Sequence, residues 1–162
     1  MRVPFTSMLV ATLLLASPVK AKTPDEWVKL GARVHGDYGV FIPLGVRIGL
    51  DAMDRLKAKP RSLTVLYHDN PKVPCACFAD GVDIATTASF GQRTIRLAPQ
   101  AAPADQAAVI VIRPRKGGAG FRYTIPMSAL AQLREFNQKL KPRQRHDAVM
   151  AAKALFTIEP AR

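Results

Sequence analysis

Between residues 23 and 56 apolar side chains recur at three- and four-residue intervals, whereas between 62 and 125 they fall in short runs or alternate with polar ones. The first pattern predicts helices and the second strands. Thr23-Pro24-Asp25-Glu26 has the composition of a helix start, with Thr23 as N-cap, Pro24 in the first helical position and Glu26 closing a capping box. Trp27, Leu30 and Val34 then share a face, and the helix delivers His35 at its end, where Gly36 and Gly39 break it. A second helix is expected over 43–56. Leu44, Val46, Ile48 and Leu50 make its first turns apolar nearly all round, as in a central buried helix. Gly45 and Gly49 lie four apart on it and cost helix stability, a loss that a close approach by another backbone would offset.

Pro60 ends this helix, and 62–67 reads as a buried strand. A loop bounded by Pro71 and Pro74 leads to a short extended stretch over 75–78. Residues 81–88 predict a short helix, 93–97 an alternating half-buried strand and 107–112 an apolar strand. Gly117-Gly118 reads as a turn, with 121–125 as the returning strand of a hairpin. After Pro126, Ser128 can cap a helix through Ala129, Leu130, Leu133 and Phe136. Pro142 ends it, and a last helix is expected over 144–156. Neither repeats nor linkers interrupt this order. The fold class expected is α+β, a single domain in which a mixed, partly antiparallel sheet packs with helices.

The first residues bear on the compartment. Arg2 precedes a short apolar run over 8–16, and Val19-Lys20-Ala21 offers small residues for cleavage. Residues 1–21 therefore read as a secretory signal peptide and 22–162 as one periplasmic or secreted domain. The apolar run is too short for a permanent membrane helix, so no integral membrane protein is expected after cleavage.

The chain carries 24 basic and 12 acidic residues, a net charge of +12; losing Arg2 and Lys20 with the signal leaves +10. Such a surface attracts anions. Export makes nucleic acid the least expected partner, and leaves an acidic periplasmic protein or a small anionic ligand. The basic residues gather at Arg113, Arg115, Lys116 and Arg122, and again at Lys139, Lys141, Arg143 and Arg145.

Candidate chemistry lies at two glycine-flanked turns. His35 and Asp37 stand two apart, and with Cys77 they supply imidazole, carboxylate and thiolate, all donors that zinc accepts. Three such donors leave a fourth position open. The alternative is that His35 caps its helix and Cys77 is an ordinary buried thiol. Asp80 and Asp83, three apart, share a helix face. They can hold His35 in one tautomer or act as an acid/base pair, but a plain N-cap is the expected role of Asp80. Thr86, Thr87 and Ser89 offer hydroxyls to a ligand or to nearby backbone.

The two cysteines, Cys75 and Cys77, are separated by one residue, which fits a relaxed disulfide poorly. Buried thiols, a metal site or a redox-labile pair remain. Two thiolates with Met150 or Met127 would suit copper(I), a less favoured reading than zinc. His68 is expected on a surface turn and His146 on a solvated helix start. No nucleophile and base stand at identifiable spacing, and the chain has neither a phosphate-cradling loop nor a dinucleotide fingerprint.

Two stretches carry a family resemblance: His35-Gly36-Asp37-Tyr38-Gly39-Val40-Phe41 with Leu44-Gly45-Val46-Arg47, and Cys77-Phe78-Ala79-Asp80 running through Thr86 to Gly91. Together they resemble the FmdE domain of formylmethanofuran dehydrogenase and its stand-alone relatives, over roughly residues 27–97. The resemblance implies a metal, usually zinc, held by histidine and cysteine in a cleft. His35, Cys77, Asp80, Thr86 and Gly91 match that pattern. Asp37 stands where the family has a second histidine, Gly39 and Ala88 stand where it has cysteines, and Gln92 replaces a lysine. These departures take away donors that the family pattern supplies. The function expected is therefore a His/Asp/Cys cleft that binds a metal ion, with a metal-free binding or accessory protein as the alternative.

Overall fold

The computed structural model describes residues 21–162, so the expected signal segment, Ala21 apart, lies outside the described residues. The order is α1 (Pro24–His35), α2 (Phe41–Arg55), β1 (Leu63–Asp69), α3 (Cys77–Thr86), β2 (Ile95–Leu97), β3 (Gln106–Pro114), β4 (Gly120–Pro126), α4 (Ala129–Lys139), α5 (Pro142–Ala151) and β5 (Thr157–Ala161). The five strands form one sheet in the order β2-β1-β3-β4-β5. β1 and β2 are parallel and every other pair is antiparallel. This is an α+β fold with a mixed, mainly antiparallel sheet.

β1 and β4 largely alternate between a covered and an open face, whereas the central strand β3 is buried on both faces over residues 107–110. Leu63, Val65 and Tyr67 of β1, Ile110 and Ile112 of β3, and Tyr123 and Ile125 of β4 are buried with Leu44, Ile48 and Ala52 of α2 and Leu130 and Leu133 of α4. A smaller apolar cluster forms behind α2, where Trp27, Tyr38, Ile42, Val46, Cys77 and Ala85 pack together. Thus α2 is buried on both sides, one toward the sheet and the other toward α1 and α3. Among the described residues no helix is long and apolar enough to cross a membrane.

α2 and α3 meet at their backbones. A Cβ on Gly45 would run into the Phe78 carbonyl oxygen and lie 2.9 Å from the Gly81 Cα, and one on Gly81 would strike the Ile42 carbonyl oxygen. Gly49 faces Ala85 and Thr86 in the same seam. The helix penalty of these glycines is offset by the packing that only their size permits. The seam sets where α3 begins, and hence where Cys77 and Asp80 stand.

Several elements differ from expectation. Val34 is 49% exposed, so α1 buries Trp27 and Gly31 instead. Residues 77 and 78 are already helical, and α3 starts before the stretch expected. Ser128 makes no side-chain cap. Pro142 begins α5 instead of merely ending α4, since the first helical position needs no N–H. α5 stops at Ala151, and the chain then adds the edge strand β5, where Pro160 is tolerated.

Candidate functional site

α1 ends through its capping chemistry. Thr23 and Glu26 form the reciprocal capping box at its start, and Gly36, at φ 95°, closes the other end in the left-handed conformation that glycine adopts freely. That closure leaves His35 at the rim of the molecule, opposite the first turn of α3. His35 Nδ1 lies 2.7 Å from Asp80 Oδ2, and its Nε2 lies 3.5 Å from Cys77 Sγ. An ionised carboxylate only accepts hydrogen bonds, so His35 donates from Nδ1, and in the neutral ring the Nε2 lone pair faces the sulfur. The side chains of His35 and Asp80 are 31% and 41% exposed.

Asp80 is therefore not the N-cap of α3. That position is held by Ala76, without a side-chain hydrogen bond, and Asp80 turns outward from the first turn to His35. Cys77, in the first helical position, is buried and bonded to Cys75. The disulfide corrects the expectation from spacing. A turn at Ala76, with φ −82° and ψ 26°, places the two Cα atoms 5.4 Å apart, inside the range a disulfide spans. No described cysteine is free.

Two cavities share this wall. One, of about 280 Å³, is lined by His35, Asp37, Val40, Phe41, Pro74 and Cys75, and by Arg134 and Gln138 from α4. The other, of about 270 Å³, lies between the disulfide, Asp80, Tyr67 and the edge strand, with Phe90 and Leu97 at its mouth. The Tyr67 hydroxyl is buried there without a hydrogen-bond partner among the described residues. Burial, with Asp69 nearby, raises its pKa and keeps it protonated.

The remaining expected residues divide. Asp37 lines the first cavity, but its Oδ1 already accepts the Tyr38 amide at 2.6 Å. Asp83 lies further along α3 and lines neither cavity; burial, then the charge of Asp80, pushes its pKa up to about 6. Thr86 is fully buried at the far end of α3, its hydroxyl donating to Val82 O and accepting from the Ala88 amide. The structure thus brings together His35, Asp37, Cys77 and Asp80, and leaves Asp83 and Thr86 apart from them.

The two other histidines also differ from expectation. His68 belongs to β1 and its ring Nδ1 pairs with Gln100 O. His146 is 3% exposed and its Nδ1 lies 2.7 Å from the Tyr38 hydroxyl, with burial lowering its pKa.

Sequence reasoning passed over Arg134, Tyr67, Phe90 and Leu97. Arg134, Asn137 and Gln138 stand three and four apart on the polar face of α4, a spacing that shows they share a face but not what that face meets. Asn137 Oδ1 accepts the Val40 amide, and Arg145 donates to the carbonyls of Asn137, Leu140 and Tyr38. α4 is thereby tied to the turn that carries His35. Arg134 makes no hydrogen bond or ion pair among the described residues and is left at the cavity rim.

The donor set does not suit a metal as it stands. Zinc and copper(I) bind thiolate, and both sulfurs here are spent on one bond. One oxygen of Asp37 accepts a backbone amide and one oxygen of Asp80 holds the His35 ring, so His35 Nε2 and the remaining carboxylate oxygens are the donors left. No cluster of three or more His, Cys, Asp or Glu able to hold an ion occurs among the described residues. Reduction alone would release thiolates beside Nε2.

A family model described as FmdE, molybdenum formylmethanofuran dehydrogenase operon, matches residues 34–160. The fold is similar to the crystal structure of a tungsten formylmethanofuran dehydrogenase FmdE-like protein from Syntrophus aciditrophicus, with TM-score 0.58 and 15% identity, covering 88% of this chain and 73% of that one. No curated protein matches the sequence.

Proposed function

The chain belongs to the FmdE family, and from that premise we propose that it is an exported, metal-free binding domain whose α1–α4 cleft takes a small organic anion. The observation that carries this reading is Arg134, a guanidinium without a partner among the described residues, at the rim of a cavity of about 280 Å³ that also holds His35. Val40, Phe41, Ile42 and Pro74 give the cavity an apolar wall. Small-molecule sites commonly combine such a wall with a few placed polar groups.

A carboxylate suits the arrangement. Arg134 offers a planar fork of N–H donors matched to two carboxylate oxygens. The Gln138 amide lies one helical turn away on the same face, and the Asp37 carboxylate, which also lines the cavity, is partly offset by the Tyr38 amide that its Oδ1 accepts. The short apolar body of the ligand would lie on Phe41 and Pro74. The overall charge of the mature chain favours anion capture, although it selects no particular anion.

The test is calorimetric titration of the oxidised mature protein with straight-chain carboxylates of increasing length. Binding is expected to strengthen with the first few methylenes and to weaken about tenfold or more in Arg134→Ala, the loss of a charge-assisted bidentate contact. Equal affinity for wild type and Arg134→Ala would remove the proposal.

A further inference from the structure

We propose that the Cys75–Cys77 disulfide is a reactive centre that exchanges with a dithiol on a second, apolar polypeptide segment, with His35 as its proton acceptor. This goes beyond anion binding and does not depend on it.

Four observations meet at the bond. First, the bridge encloses a single residue, Ala76, so it constrains the unfolded chain far less than a bridge between distant elements. It ties no two elements of the fold together. Second, the sulfurs are unequal. Both line the two cavities, but Cys75 is partly exposed whereas Cys77 is buried at the start of α3. Third, the buried sulfur has a prepared partner. His35 Nε2 is 3.5 Å from Cys77 Sγ, and Asp80 holds the ring from the other side at 2.7 Å. Fourth, the cavity beside the bond is bordered by Phe90 and Leu97, which are 74% and 60% exposed, on the edge of the sheet where β2 has no outer neighbour.

The chemistry follows from these positions. A thiol enters the apolar cavity, passes its proton to His35 Nε2, and attacks Cys75 Sγ, the accessible sulfur. The new bond joins the partner to Cys75, and the electron pair of the old bond leaves on Cys77 Sγ. A thiolate at a helix N-terminus beside an imidazolium is a favoured leaving group. The second thiol of the partner then displaces Cys75 and closes the partner's own disulfide. The partner loses two electrons and two protons, and Cys75 and Cys77 end as thiols.

Here His35 touches the reacting sulfur. Asp80 is a positioning residue, because it acts only through the His35 ring. Phe90 and Leu97 select the partner: a cysteine flanked by apolar residues buries them, while a small hydrophilic thiol does not.

The experiment follows reduction of the oxidised, folded mature chain by two probes, reduced glutathione and a blocked apolar peptide carrying one cysteine. Both should open the disulfide without unfolding the protein, the peptide several-fold faster. His35→Gln should slow both by about tenfold or more, the low end of the range for a positioned proton acceptor. Asp80→Asn should slow both less, and nitrogen NMR of the His35 ring should show the Nδ1-protonated form in wild type and its loss in this variant. The Phe90→Ser, Leu97→Ser double variant should lose the preference for the peptide and keep the glutathione rate. A disulfide that resists both thiols until the protein unfolds would overturn the proposal, as would a wild-type rate in His35→Gln. Equal rates for peptide and glutathione on the wild type would overturn the assignment of an apolar polypeptide partner.

Discussion

The two sides of α3 do opposite work. On one, Gly45, Gly49 and Gly81 bring α2 and α3 to backbone contact, and a single added carbon would meet a carbonyl oxygen. On the other, Cys77 and Asp80 face His35 across a gap open to two cavities. The close-packed side leaves little freedom to adjust. The open side holds polar groups at defined distances without filling the space around them. A rigid element placed by its glycines can thus present chemistry that a loop would hold less accurately.

Gly81→Ala attacks the close-packed side and should have the largest effect. Its methyl would enter the Ile42 carbonyl and lie 2.7 Å from the Val46 nitrogen, so the helices must separate. A loss of about 3 kcal/mol or more in denaturant unfolding is expected, at the upper end for overpacking. The same experiment on Gly91→Ala, where a Cβ meets nothing within 4 Å, should change stability little.

The histidines extend the contrast. His146→Ala removes a buried ring and strands the Tyr38 hydroxyl, an expected cost of about 2 kcal/mol. His35→Ala, at the partly exposed rim, should cost about 0.5 kcal/mol or less. Because burial lowers the His146 pKa below 6.5, the unfolded chain binds the extra proton first. The stability this group contributes is present above about pH 6.5 and is lost as pH falls through its folded pKa, so the His146→Ala penalty should shrink in acid.

Asp83 has the opposite sign. Its folded pKa is raised from 3.8 to about 6 by burial and by Asp80, so the folded chain holds the proton longer. Stability from this group is present below about pH 4 and is lost as pH rises through about 6. Asp83→Asn should therefore stabilise the protein by about 1 kcal/mol at pH 7, discounted for partial exposure, and by little at about pH 4. Thermal melts of both proteins at the two pH values check this.

What the sequence disclosed was mostly local. The capping box at Thr23 and Glu26 and the close approach at Gly45 follow from residues within one helix and from the cost of glycine there. The strand β5 was hidden because residues 157–161 are few, polar in part and include Pro160, and only pairing with β4 makes them a strand. His146 was hidden by its charged neighbours: Asp147 is exposed and Arg145 donates to backbone carbonyls, while the His146 ring meets Tyr38 from a distant part of the chain. The disulfide was misjudged because sequence separation stood in for distance, and a turn at the single residue Ala76 leaves the two Cα atoms at a distance a disulfide spans. Arg134 and the apolar pair Phe90 and Leu97 required the third dimension altogether.

Anion capture in the α1–α4 cleft can be read from a proton–nitrogen NMR spectrum of the oxidised protein, residues 22–162, titrated with a short straight-chain carboxylate. Saturable shifts are expected at the amides of His35, Val40, Arg134 and Gln138, and none at the hairpin residues Arg113, Arg115 and Arg122. Shifts confined to that basic hairpin, or no saturable shift around Arg134, would contradict it.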